Sequence, residues 1–195
     1  FLGVDDSARL VAVTYHPATH DSGASPRARF EALLEAMDAF PELTYVMTAP
    51  NNDAGGNSLL ECAEDYARSH RANVRLVASL GMRRYMQLLH SAVMVLGNSS
   101  SGIVEAPSAG TPTVDIGIRQ QGRISAPSVI HCGDSTGAIQ AAMQHALSPA
   151  MQALASKKEN PYAGTCDTLT VMADAIVGFL AQLPAKPKIF YDLPR

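Results

Sequence analysis

The sequence predicts an α/β domain, a Rossmann-like parallel sheet with helices on both faces. Three observations carry that prediction. Six short, β-rich apolar runs recur along the chain, stretches of helical periodicity separate them, and the chemically interesting polar groups fall directly after the runs. The strand candidates are RLVAVTYHP (9–17), LTYVMTAP (43–50), NVRLVAS (73–79), SAVMVLGNS (91–99), TPTVDIG (111–117) and PSVIHCG (127–133). Little polar residue interrupts them, as expected of strands buried on both faces.

The helical segments follow in order. SPRARFEALLEAMDAFP has apolar residues at helical spacing from Phe30 to Phe40, with Ser25 as its N-cap and Pro26 at the first position. NSLLECAEDYARSH begins on a loose capping box, Asn57 with Glu61. MRRYMQLLHS and SGIVEAPSAG supply the next two helices, the latter ended by Gly110. DSTGAIQAAMQHALS and DTLTVMADAIVGFLAQL close the series. Residues 1–183 read as one domain. Residues 184–195, rich in Pro and Lys, read as a tail that leaves the core.

The length of 195 residues suits one generous domain or half of a larger protein, and the chain opens on Phe1, as a fragment or processed product would. With 47% hydrophobic and 17% charged residues a sizeable core is within reach. A net charge of −3 argues against nucleic acid or an anionic membrane as the main partner. Cys62, Cys132 and Cys166 are far apart and form no CxxC, the usage of reduced thiols in a cytoplasmic protein. No run approaches the roughly 18 apolar residues that span a bilayer.

In an open α/β sheet ligands bind beyond the carboxyl ends of the strands, where His16, Asn51, Asp53, Ser79, Ser99 and Arg119 all fall. The stretch LGNSSSGIVEAPSAGTPTVDIGIRQQGR (96–123) is the most informative. Ser99, Ser100 and Ser101 after a strand bring hydroxyls and helix-start N–H groups to one point, which suits a phosphate, and Gly102 permits close approach. An ordinary serine N-cap is the plain alternative. Glu105, a turn further on, would repel phosphate and suits a ribose diol, or is a solvated carboxylate. Arg119 and Arg123 are clamps for a diphosphate or loop surface charges. His16 can donate to a phosphate, protonate a departing one, or simply bond backbone. Asn51 and Asp53 can hold sugar hydroxyls or form an Asx-turn. Ser99, Asp115 and His131 stand in α/β-hydrolase chain order, but GNSSS lacks the second glycine of the nucleophile elbow. His20 and Asp21 near His16 match no common zinc spacing, so no metal and no cofactor is expected.

Together YHPAT, PNNDAG and the serine-to-arginine stretch, in this order, resemble the C-terminal half of the hydrolysing UDP-N-acetylglucosamine 2-epimerases, in the branch that serves sialic and related nonulosonic acids. The resemblance runs from about residue 9 to beyond residue 180. It implies the second Rossmann-like domain of a GT-B-type enzyme that converts UDP-N-acetylglucosamine and water to N-acetylmannosamine and UDP. It implies diphosphate contacts from Ser99 and Ser100, with Ser101 and Gly102 alongside, ribose contacts from Glu105, nucleotide contacts from Arg119 and Arg123, and a phosphate contact from His16. Asn51 and Asp53 would lie at the cleft, and the main chain at Leu80 would meet the uracil. The essential carboxylates belong to the N-terminal domain, so this chain alone is expected to be inactive, and the full-length enzyme to be a cytoplasmic homo-oligomer. The donor-binding half of a GT-B glycosyltransferase and a non-enzymic nucleotide-sensing module are the competing readings.

Overall fold

The computed structural model describes residues 3–5, 7–17, 25–51, 53, 55–164 and 167–182. Six parallel strands form one sheet: β1 (Arg9–Thr14), β2 (Leu43–Thr48), β3 (Val74–Val77), β4 (Ala92–Gly97), β5 (Thr113–Ile116) and β6 (Val129–Cys132). All six lie within the apolar runs of the sequence. Their order is β3-β2-β1-β4-β5-β6, the doubly wound Rossmann order. The four inner strands are largely buried, whereas the edge strands β3 and β6 are only half-buried, because each has a sheet neighbour on one side alone.

Alternation along the strands builds two cores. Val11 and Val13 of β1 face a large core with α1 (Pro26–Asp38), α2 (Gly56–Ser69) and α6 (Thr136–Ala146), and Ala12 between them faces a smaller core with α3 (Gly81–Ser91). Tyr45 crosses the larger core, and its hydroxyl lies within hydrogen-bond reach of the carbonyls of Met37 and Phe40, at 3.0 and 3.1 Å, at the end of α1.

Ser25 caps α1 and Pro26 opens it, as the sequence predicts; the cap oxygen accepts from the Ala28 N–H. α2 departs from expectation. It starts at Gly56 with Gly55 as N-cap and no side-chain cap, because a turn in which the Gly56 N–H bonds the Asp53 carbonyl at 2.8 Å begins the helix ahead of Asn57. The segment after β4 is two short helices, α4 (Ser101–Val104) and α5 (Ala106–Ala109), rather than one. Pro107 has no N–H for the Ile103 carbonyl, so the ladder is broken beside Glu105. Gly110 ends α5 in the left-handed conformation. A further helix, α7 (Pro149–Ala155), capped by Ser148, was not among the predicted elements.

The chain divides into two compact units, Phe1–Pro161 and Tyr162–Arg195. The described part of the second contains α8 (Thr168–Ala181), started by Asp167, whose carboxylate accepts from the N–H groups of Leu169 and Thr170. Residues 184–195, read as a tail, and Cys166 lie outside the described residues. No helix among the described residues is long and apolar enough to cross a membrane.

Candidate functional site

The strand order reverses between β1 and β4, and ligands of such sheets bind in the crevice beyond that point. Gly97 closes β4 with φ +140°, and a Cβ there would lie 2.0 Å from the Thr14 carbonyl oxygen. Only glycine permits this approach of the two backbones. It lets the Asn98 N–H bond the Thr14 carbonyl at 3.2 Å and carries the Asn98 side chain to the loop after β1.

Asn98 is 1% exposed and joins three loops. Its Oδ1 accepts the His16 N–H and its Nδ2 donates to the His16 carbonyl, both at 2.8 Å. Its own carbonyl accepts from Arg119 Nη1 at 3.1 Å and Gln120 Nε2 at 2.8 Å. His16 Nδ1 accepts the Asn51 N–H at 3.1 Å, so the proton of the neutral ring resides on Nε2. Burial lowers the His16 pKa, the Arg119 charge lowers it further, and Asp53 opposes them. His16 is thus a neutral donor at neutral pH, and hydrogen-bond donation is the role that fits. Asn51 Nδ2 donates to the Asp53 carboxylate, so these two side chains meet one another at the rim.

On the other side of β4 the hydroxyls of Ser99, Ser101 and Tyr85 form a chain. The N–H groups of Gly102 and Ile103 bond the carbonyls of Ser99 and Ser100, and the N–H groups of Ser99 and Ser100, at the start of the helix, have no backbone acceptor among the described residues. Ser99 Oγ accepts from Ser101 Oγ at 3.2 Å, and Ser101 Oγ shares a 2.6 Å hydrogen bond with the Tyr85 hydroxyl. The Ser100 side chain caps nothing. These groups line a cleft of about 780 Å³, whose apolar wall is Leu80, Met82 and Met86 and whose rim carries Glu105. Thr14 and Thr48, bonded to each other at 2.9 Å, also line it.

The structure therefore brings Leu80, Ser99, Ser100, Ser101 and Glu105 to one cleft, and His16, Asn51, Asp53 and Arg119 around Asn98. Arg123 stands exposed, its N–H closing a turn on the Gln120 carbonyl. Gly102 is buried, and a Cβ on it would lie 2.5 Å from the Thr113 methyl, so its smallness lets α4 pack on β5. Sequence reasoning missed Asn98, Gln120 and Tyr85. Asn98 alone left a signal, as an uncharged polar residue directly after an apolar strand.

The hydrolase alternative is corrected in its serine. His131 Nδ1 does lie 2.8 Å from Asp115 Oδ2, but the hydroxyl on His131 Nε2, at 3.0 Å, belongs to Ser125 and not Ser99. Ser99 instead bonds Ser101. Among the described residues no group of three or more His, Cys, Asp or Glu is placed to hold a metal; His20 and Asp21 lie outside them.

Comparison with known proteins gives the family and the fold. The family model described as UDP-N-acetylglucosamine 2-epimerase matches residues 3–177. The chain is 32% identical over 121 residues to the hydrolysing GDP/UDP-N,N'-diacetylbacillosamine 2-epimerase of Campylobacter jejuni, covering 62% of this chain and 31% of that protein. It is 33% identical over 138 residues to the UDP-N-acetylglucosamine 2-epimerase of Neisseria meningitidis serogroup B, covering 69% and 34%. The crystal structure of a Neisseria meningitidis UDP-GlcNAc 2-epimerase bound to UDP-GlcNAc superposes with TM-score 0.68 at 18% identity, over 90% of this chain and 46% of that one. The chain thus spans less than half the length of these relatives.

Proposed function

The chain belongs to the UDP-N-acetylglucosamine 2-epimerase family, and we propose that it is the nucleotide-sugar-binding, C-terminal half of a hydrolysing, GT-B-type member. The observation that carries this reading is the serine tip after β4, whose two uncommitted N–H groups and hydroxyl chain stand beside the loop bearing Arg119. In this reading the Ser99 and Ser100 N–H groups, the serine hydroxyls and Arg119 hold the diphosphate. Glu105 accepts from the ribose hydroxyls at the rim of the same cleft, and the base rests against Leu80.

The reaction is elimination of UDP from UDP-N-acetylglucosamine, then addition of water to the glycal to give N-acetylmannosamine. Breaking the anomeric C–O bond leaves its electron pair on the diphosphate. Fixed donors aimed at that charge lower the barrier, because they need no reorganisation as it develops. Arg119 supplies a full charge, and neutral His16 supplies its Nε2–H. In this reading the carboxylates gathered here are already engaged, Asp53 by Asn51 and Glu105 by the ribose, so this half binds and stabilises the leaving group while the other half of the enzyme supplies the base for the C2 proton.

Calorimetric titration of the 195-residue chain with UDP, GDP and ADP, together with an N-acetylmannosamine assay, tests the reading. UDP is expected to bind, ADP to bind less well, and no sugar to be released. Equal indifference to all three nucleotides, or rapid release of N-acetylmannosamine by this chain alone, would overturn it.

A further inference from the structure

β5 and β6 run parallel with Asp115 opposite His131, so the two side chains leave the same face of the sheet. Asp115 is 1% exposed; burial raises its pKa against the His131 hydrogen bond and charge and the Arg119 charge, which lower it, and in its ionised form the carboxylate only accepts hydrogen bonds. The 2.8 Å contact therefore places a proton on His131 Nδ1, and His131 Nε2 shares a hydrogen bond with the Ser125 hydroxyl at 3.0 Å. One imidazole thus ties the end of β5 to residue 125 and closes the segment that carries Arg119, Gln120 and Arg123.

The order of bonds is that of a hydrolytic serine triad, but its placement is different. In an α/β-hydrolase, whose chain order these residues share in part, the serine occupies a strand-to-helix elbow where backbone N–H groups receive the oxyanion. Ser125 instead leads towards a strand, through a turn in which the Val129 N–H bonds the Ala126 carbonyl at 3.0 Å. The arrangement points back to the loop it encloses. That loop has left-handed glycines at Gly117 (φ +74°) and Gly122 (φ +84°), and its near side is held by the Arg119 and Gln120 bonds to Asn98. Its far side is held by Ser125. The Arg119 charge is felt by both the Asp115 carboxyl and the His16 ring, which places the guanidinium in the neighbourhood of this brace.

We propose that Ser125, His131 and Asp115 are positioning residues that brace the Arg119 loop in its anion-binding conformation. The inference rests on the reading of Arg119 as a diphosphate ligand. A loop with two left-handed glycines that is not held in advance must be ordered when ligand binds, and that ordering is subtracted from affinity.

The test uses Ser125→Ala and Ser125→Thr in the 195-residue chain, with two readouts: hydrogen–deuterium exchange of the 117–126 segment in the free protein, and UDP affinity by calorimetry. Ser125→Ala is expected to speed exchange in that segment and weaken UDP binding about fivefold, the weight of one neutral hydrogen bond. Ser125→Thr, which keeps the hydroxyl, restores both. Unchanged exchange, faster exchange with unchanged affinity, or failure of threonine to rescue would each overturn the brace. So would stoichiometric labelling of Ser125 by a fluorophosphonate that disappears in His131→Gln, since that marks a nucleophile. Absence of UDP binding by the parent chain would sink the nucleotide reading instead, and the exchange measurement would still show whether the brace exists.

Discussion

The two sides of the β4 terminus are built on different principles. On the β1 and β5 side, buried Asn98 takes five side-chain and backbone hydrogen bonds and locks the loops that carry His16 and Arg119. On the α3 side, the linked hydroxyls of Ser99, Ser101 and Tyr85, and beside them the Thr14–Thr48 pair, can donate or accept along an open cleft. Charge is delivered by the rigid side and adaptable hydrogen bonding by the soft side. A diphosphate needs a fixed counter-charge, whereas a ribose and a base are read by groups that can rotate to meet them.

Removing the keystone is the harshest way to break that contrast. Asn98→Ala deletes two 2.8 Å bonds and strands the buried N–H and carbonyl of His16. It should cost about 3 kcal/mol of unfolding free energy, measured by urea denaturation, and should abolish UDP binding in the protein that still folds. If stability were unchanged, the loops would have to be held by something other than Asn98.

Arg119→Ala probes the charge that this side presents. Gln120 still donates to the Asn98 carbonyl, so stability should barely move. UDP affinity should fall by about 2 kcal/mol, the worth of a charge-assisted hydrogen bond. The loss should also shrink as salt rises, because the site is open to solvent. Tyr85→Phe makes the matching change on the soft side. It removes the 2.6 Å bond to Ser101 and leaves the ring packed. The expected effect is about 1 kcal/mol or less on UDP affinity, since Ser101 can turn its hydroxyl to Ser99 or to ligand. A Tyr85 effect as large as that of Arg119 would erase the distinction between the two sides.

How much of this was legible in the chain depended on range. The strands were readable because inner strands buried on both faces must be apolar throughout, as in Val11 to Val13 and Met94 to Leu96. The serines and Arg119 were readable because each directly follows such a run. Asn98 follows such a run too, but neither its role nor that of Tyr85 was readable, because those depend on contacts 82 and 16 residues away in sequence. The Ser125–His131–Asp115 brace was half legible. Chain order paired Asp115 with His131, but only the β5–β6 register makes them neighbours, and the path of the intervening loop selects Ser125. The break beside Glu105 could have been read from Pro107, whose missing N–H forbids a continuous helix there.

The smallest effect tests whether His16 belongs with the rigid side as a neutral donor. Its pKa is lowered in the fold, chiefly by burial and then by Arg119. The unfolded chain, with the ordinary value of 6.5, therefore binds a proton more readily than the native protein does. The His16 contribution is present above that value and is lost as pH falls through the lower native one. In His16→Asn, which keeps an acceptor for the Asn51 N–H, this acid-dependent loss should vanish. Unfolding curves of parent and variant should then converge between neutral pH and about pH 5. UDP should reverse part of the loss in the parent, because bound phosphate favours the protonated ring and draws its pKa back up. Parallel pH profiles for parent and variant, with or without UDP, would mean that His16 is no more than a backbone-spacing residue of the β1 loop.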